Sequence, residues 1–217
     1  GLSSMLIIFD CAGVLVDSES LAAQVFAEEL QKFGIEMDAE ACERRFRGHT
    51  MQYCLTVLER DYSGRLPDDF LITLAEATRS AFEKSLQPVP GVVSVLQWLN
   101  TRGWSFCVAS NGALTKIQHS LQVTGLLSYL GDRCFSAEQV AAGKPAPDLF
   151  LHAARSLGFS ADRALVVEDS STGVTGALAA GMRVCVYGDA TVANENAVTR
   201  FSRMEQLPGI LESLVGF

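Results

Sequence analysis

Four consecutive bulky apolar residues, Leu6 to Phe9, end abruptly at Asp10. A run that is apolar at every position, rather than at every second one, suits a strand covered on both faces and so a parallel sheet with helices on either side. The same texture recurs at residues 106–109, 134–135, 164–167 and 184–187. Segments of helical period lie between these runs, at 92–101, 115–123, 147–157 and 172–180, and Gly103, Gly158 and Gly181 stand as stops. Strands alternating with helices predict a doubly wound sheet.

Residues 18–86 read differently. Leu21, Ala22, Val25, Phe26, Leu30 and Phe33 recur at three- and four-residue intervals before Gly34, which predicts a helix. Asp38 is placed to cap a second helix through Phe46, and a third is predicted over 52–60. Pro67 fits the first turn of a long helix carrying Phe70, Leu71, Leu74, Ala77, Ala81 and Phe82. Residues 87–91, with two prolines, read as a hinge back to the sheet. The prediction is an α/β protein: a doubly wound parallel-sheet, Rossmann-like core of residues 1–16 and 88–217, with an α-helical domain of residues 17–87 inserted after the first strand.

Polar residues gather at the ends of the predicted strands, which is where open α/β sheets bind their ligands. Asp10 ends the first run beside a turn-permitting Gly13. Ser110-Asn111-Gly112 offers a hydroxyl, an amide and unhindered backbone N–H groups that suit a phosphate oxygen, and an ordinary turn explains it equally well. Lys144 opens Lys-Pro-Ala-Pro-Asp, a cation in a backbone stiffened by prolines, or simply a helix start. Glu168-Asp169 follows four apolar residues, and two acids there are costly to hold unless a cation pairs with them.

The stretch Asp10-Cys11-Ala12-Gly13-Val14-Leu15-Val16-Asp17-Ser18-Glu19 resembles the opening signature of the haloacid dehalogenase superfamily, with Ala12 where the family has a second aspartate. Ser110, Lys144 and Glu168-Asp169-Ser170-Ser171-Thr172-Gly173 follow in the family's order, so the resemblance spans nearly the whole chain. It is similar to the sugar-phosphate phosphatases and β-phosphoglucomutase-like members, whose small helical cap follows the first motif. The resemblance implies that Asp10 is a nucleophile forming an aspartyl-phosphate, and that Ser110, Asn111, Gly112 and Lys144 hold the phosphate. It further implies Mg²⁺ on Asp10, the main-chain carbonyl of Ala12, Glu168 and Asp169. In the cap, Arg47 and His49 are the expected substrate contacts, whereas Arg44 and Arg45 read as a solvated helix end.

Position 12 belongs to the general acid and base in phosphatases of the family, a role worth about 10²–10⁴ in rate. The expectation is therefore an impaired phosphatase carrying an engineered substitution; a natural, non-hydrolytic phosphate-ligand binding protein and a phosphosugar mutase are the alternatives. A dehalogenase would lack the acidic pair, and a phosphonate-cleaving enzyme needs a cap lysine where only Lys32 stands. The mutase is disfavoured because its cap histidine, five residues beyond the position of Asp17, is replaced by Ala22.

Composition fits this picture. A chain of 217 residues that is 48% hydrophobic can bury a sizeable core. A formal net charge of −8 argues against nucleic acid as a partner. No apolar run reaches the length of a membrane span, and no secretory pattern opens the chain. Six cysteines without C-x-x-C spacing read as reduced, and three scattered histidines suggest no zinc site. The expectation is a cytoplasmic enzyme of small phosphate esters, monomeric or weakly self-associating.

Overall fold

The computed structural model describes residues 4–46 and 51–215. It divides into two compact units, one of residues Gly1–Val16 and Gln87–Phe217 and the other of residues Asp17–Leu86.

The chain opens with β1 (Leu6–Phe9), whose four residues are all fully buried. It then enters the second unit, built of α1 (Ser18–Gln31), α2 (Ala39–Phe46), α3 (Met51–Asp61) and α4 (Phe70–Ser85). Asp38 caps α2 as its sequence position suggests, accepting the Ala41 N–H at 2.7 Å. The long fourth helix begins at Phe70, later than Pro67 suggests, because the Pro67 carbonyl closes a turn onto the Phe70 N–H at 3.1 Å instead. This unit has its own core, in which Phe26 lies 5.4 Å from Phe46 and 6.3 Å from Phe70 between ring centroids. Arg44 pairs with Glu40 and Arg45 with Asp61, so the basic end of α2 is engaged in surface ion pairs.

Val16 and Pro88 form an antiparallel bridge where the chain leaves and re-enters the first unit. There follow α5 (Val92–Arg102), β2 (Ser105–Ser110), α6 (Leu114–Val123), α7 (Leu127–Leu130), β3 (Cys134–Ser136), α8 (Asp148–Ser156), β4 (Ala164–Glu168), α9 (Ser171–Ala179), β5 (Arg183–Tyr187), β6 (Val198–Phe201) and α10 (Leu207–Val215). The strands form one parallel six-stranded sheet in the order β3-β2-β1-β4-β5-β6. Leu6, Ile8, Cys107, Val166 and Val184 pack with Phe150 and Ala153 of α8 and Val174 and Ala177 of α9. The alternate positions Ile7, Phe9 and Val108 are equally buried, as a sheet covered on both faces requires.

The apolar runs point to five strands, and the sixth is β6. It is an edge strand whose Val198, Thr199 and Arg200 are half-buried or exposed, so it carries no continuous apolar run to betray it. The six cysteines are all unpaired and buried. Among the described residues no helix is long and apolar enough to cross a membrane.

Candidate active site

The winding of the sheet reverses at β1, and the crevice of such a sheet opens beyond the carboxyl ends of the strands at that point. Phe9 is in register with Val108 on one side and Val167 on the other, so Asp10, Ala109 and Glu168 emerge at one level. The Asp10 N–H donates to the Val167 carbonyl at 3.0 Å, tying the acid's main chain to β4.

Lys144, in the loop between β3 and α8, reaches into this level. Its Nζ donates to Asp10 Oδ1 at 2.9 Å, to the Ala109 carbonyl at 2.8 Å and to Glu168 Oε1 at 2.5 Å. An ammonium has three N–H donors, and all three are engaged. The Lys144 side chain is 5% exposed and that of Glu168 0%, so this is a desolvated cluster rather than a surface pair.

Two devices hold the pieces. The Asn111 amide donates from Nδ2 to the Lys144 carbonyl at 3.0 Å and accepts the Lys144 N–H on Oδ1 at 2.8 Å, strapping the lysine's main chain across 33 residues. Gly143 permits this, because a β-carbon there would lie 2.6 Å from Asn111 Oδ1. On the other side, Glu168 Oε2 accepts the Asp169 N–H at 3.2 Å, the Ser170 hydroxyl at 3.2 Å and the Ser170 N–H at 3.5 Å. Ser170 in turn caps α9 by accepting the Gly173 N–H at 3.1 Å. A β-carbon on Gly173 would fall inside the Glu168 carboxylate, so only glycine lets that acid occupy its place.

Asp10, Glu168 and Asp169 each offer a carboxylate oxygen within 4.8 Å of the others. One lysine against three carboxylates leaves two formal negative charges in the cluster. Burial by itself would lower the Lys144 pKa, but Asp10 and Glu168 more than reverse this and hold the ammonium above its ordinary range. Burial, reinforced by the charge of Asp10 and opposed by Lys144, pushes Glu168 up to about 7. The negative charge of Asp10 contributes to both shifts, second to burial in the case of Glu168. A divalent cation with a preference for oxygen ligands fits the donor set and the charge, and Mg²⁺ is such an ion.

Half of the ten candidate site residues singled out from sequence come together here: Asp10, Asn111, Lys144, Glu168 and Asp169 belong to one cluster. Ser110 ends β2, and its Oγ accepts the Gly112 N–H at 3.1 Å, which shapes the turn. The Asn111 side chain serves the main chain of Lys144. Ala12 is exposed and bridges to Val16 with an ordinary backbone conformation, so a longer side chain has room there. Arg47 and His49 lie outside the described residues. Sequence reasoning passed over Ser136, which is fully buried, donates to the Gly112 carbonyl at 2.6 Å and accepts the Glu138 N–H at 3.1 Å. A serine directly after two apolar strand residues was the available signal.

A fixed cation and grouped acids in one crevice suit an anionic ester, and the family match and the named phosphatase relatives make this a phosphoric monoester hydrolase. The family described as haloacid dehalogenase-like hydrolase matches residues 5–181, and the chain belongs to that family. It is 30% identical to the 6-phosphogluconate phosphatase of Escherichia coli (strain K12) over 93% of this chain and 92% of that protein. Among solved structures it is similar to a haloacid dehalogenase-like protein of Agrobacterium tumefaciens str. C58, at 35% identity and a TM-score of 0.84 over 99% of this chain and 100% of that one. A haloacid dehalogenase family hydrolase of Deinococcus radiodurans R1, solved with bound phosphate and sodium, matches at 28% identity and a TM-score of 0.85 over 97% of this chain and 96% of that one.

Proposed function

We propose that the chain is a Mg²⁺-dependent phosphatase of small sugar or sugar-acid phosphates that works through an aspartyl-phosphate on Asp10 and is impaired by Ala12. The observation that carries this reading is the desolvated cluster in which Lys144 grips Asp10, the Ala109 carbonyl and Glu168 at once. Likeness to a 6-phosphogluconate phosphatase supports the substrate class. Six unpaired cysteines fit a reducing, cytoplasmic compartment.

Lys144 fixes one oxygen of the Asp10 carboxylate, which leaves the other to attack phosphorus. Asp10, Asp169 and the main-chain carbonyl of residue 12 would hold Mg²⁺. Glu168 belongs to the same acidic group and would assist there, and it also anchors Lys144 through Oε1. When bound, Mg²⁺ supplies positive charge against the repulsion between a carboxylate and a phosphate. Ser110 and the Gly112 turn lie at the end of the neighbouring strand, where a hydroxyl can donate to a phosphate oxygen. The Lys144 charge adds to the field at that point without offering a spare N–H.

Ala12 also favours a second reading, a natural phosphate-ligand binding protein without turnover. Ala12→Asp decides between them: a gain of about 10²–10⁴ in phosphate release from 6-phosphogluconate or a related ester is expected. No gain on a broad panel of phosphate esters would refute the phosphatase and favour binding.

A further inference from the structure

We infer that Ser136 is a positioning residue for phosphate: its buried hydroxyl holds the Ser110-Asn111-Gly112 turn so that Ser110 keeps its own proton for a phosphate oxygen. The role rests on the reading of Ser110 as a phosphate contact. The register of the sheet puts the two serines side by side, Ser110 at the end of β2 opposite Ser136 at the end of β3. Ser136 is fully buried, and its Oγ donates to the Gly112 carbonyl at 2.6 Å, toward the short end of the range for a hydroxyl. A carbonyl can only accept, so the single Ser136 hydroxyl proton is committed to that bond. The Gly112 N–H in turn donates to Ser110 Oγ at 3.1 Å. A hydroxyl that accepts this N–H on a lone pair turns its own proton away from it. Ser136 therefore acts on Ser110 through one glycine, which is gripped at its carbonyl by one serine and at its amide by the other.

Helix capping accounts for only half of what Ser136 does. Its Oγ accepts the Glu138 N–H at 3.1 Å and its own N–H donates to Gln139 Oε1 at 3.1 Å, a reciprocal cap on the short helical turn Ala137–Gln139. An aspartate would cap as well, but an ionised carboxylate has no proton for Gly112. Neighbouring side chains hold the same stretch at other points. Glu138 Oε2 accepts the Leu114 N–H at 3.1 Å, and Asn111 straps the main chain of Lys144. The segment is thus pinned at residues 111, 112 and 114 in succession. A donor fixed before its ligand arrives gives up little freedom on binding, which is what a positioned hydroxyl adds over a mobile one.

The test titrates the chain with inorganic phosphate in the presence of Mg²⁺ and reads the affinity by calorimetry. Ser136→Ala should weaken phosphate binding by about 2–12-fold, the worth of one neutral hydrogen bond. Ser136→Cys refills the space with only a weak donor and should leave that loss in place. Ser110→Ala should itself weaken binding, and adding Ser136→Ala to it should cost nothing more, because the route from Ser136 to phosphate is gone. A purely structural serine would instead add its full effect in that background. If Ser136→Ala does not fold, Ser136→Cys carries the same comparison in both backgrounds. Parent-like affinity in Ser136→Ala, full recovery in Ser136→Cys, or losses that simply add would overturn this role while leaving the phosphate reading of Ser110 intact. Phosphate that does not bind the parent, or binds Ser110→Ala equally well, removes that reading and this role together.

Discussion

Lys144→Met keeps most of the stem and removes the charge, and the structure sets the size of its effect. Three acceptors lose their donor: Asp10 Oδ1, the Ala109 carbonyl and Glu168 Oε1. An exposed ion pair would cost under about 1 kcal/mol. Here Glu168 is 0% exposed and loses the cation that opposes the cost of its burial, and removing one partner of a buried pair costs about 3–5 kcal/mol. At about 2–4 °C per kcal/mol for a chain of this length, the melting temperature should fall by roughly 6–20 °C. Because there are two compact units, calorimetry should show the loss in the transition of the first unit while that of residues Asp17–Leu86 stays in place. Adding Glu168→Gln removes the acid left without its partner and should recover part of the stability. Catalysis in an Ala12→Asp background should stay lost, since the cation is still missing. A loss below about 1 kcal/mol, or a double variant whose losses simply add, would refute the claim that the cluster is a single desolvated unit.

Gly173→Ala places a β-carbon inside the Glu168 carboxylate, so it should displace that acid and cost about 1–3 kcal/mol in urea denaturation, with normal stability counting against the packing. The Glu168 pKa, raised by burial and by Asp10 to about 7, gives a sign for pH. A group whose folded pKa exceeds its unfolded value stabilises while protonated, and that contribution fades as pH rises through the folded value. The metal-free first unit should therefore lose stability between about pH 5 and 7, and millimolar Mg²⁺ should raise the melting temperature more at pH 8 than at pH 5. An equal Mg²⁺ shift at both pH values would sink this.

The sequence displays what local pattern controls and conceals what sheet order controls. Runs apolar at every position reveal β1, β2, β3, β4 and β5, because burial on both faces leaves no room for polar alternation, and β6 escapes because an edge strand can carry Thr199 and Arg200. Asp10, Ser110, Lys144 and Glu168-Asp169 are legible singly as polar residues where apolar runs stop. Their partners are not. Lys144 and Asp10 stand 134 residues apart, and they meet only because β1 lies between β2 and β4. Asn111 shows what sequence leaves out: its amide suits a phosphate on chemistry alone, and its side chain also straps the main chain of Lys144. Ala12 is the opposite case. In the structure it is an exposed methyl whose backbone bridges to Val16, and nothing about its contacts signals a role. Its meaning comes from the carboxylate the motif expects at that place, so the effect on turnover proposed for it is read from the sequence and not from the fold.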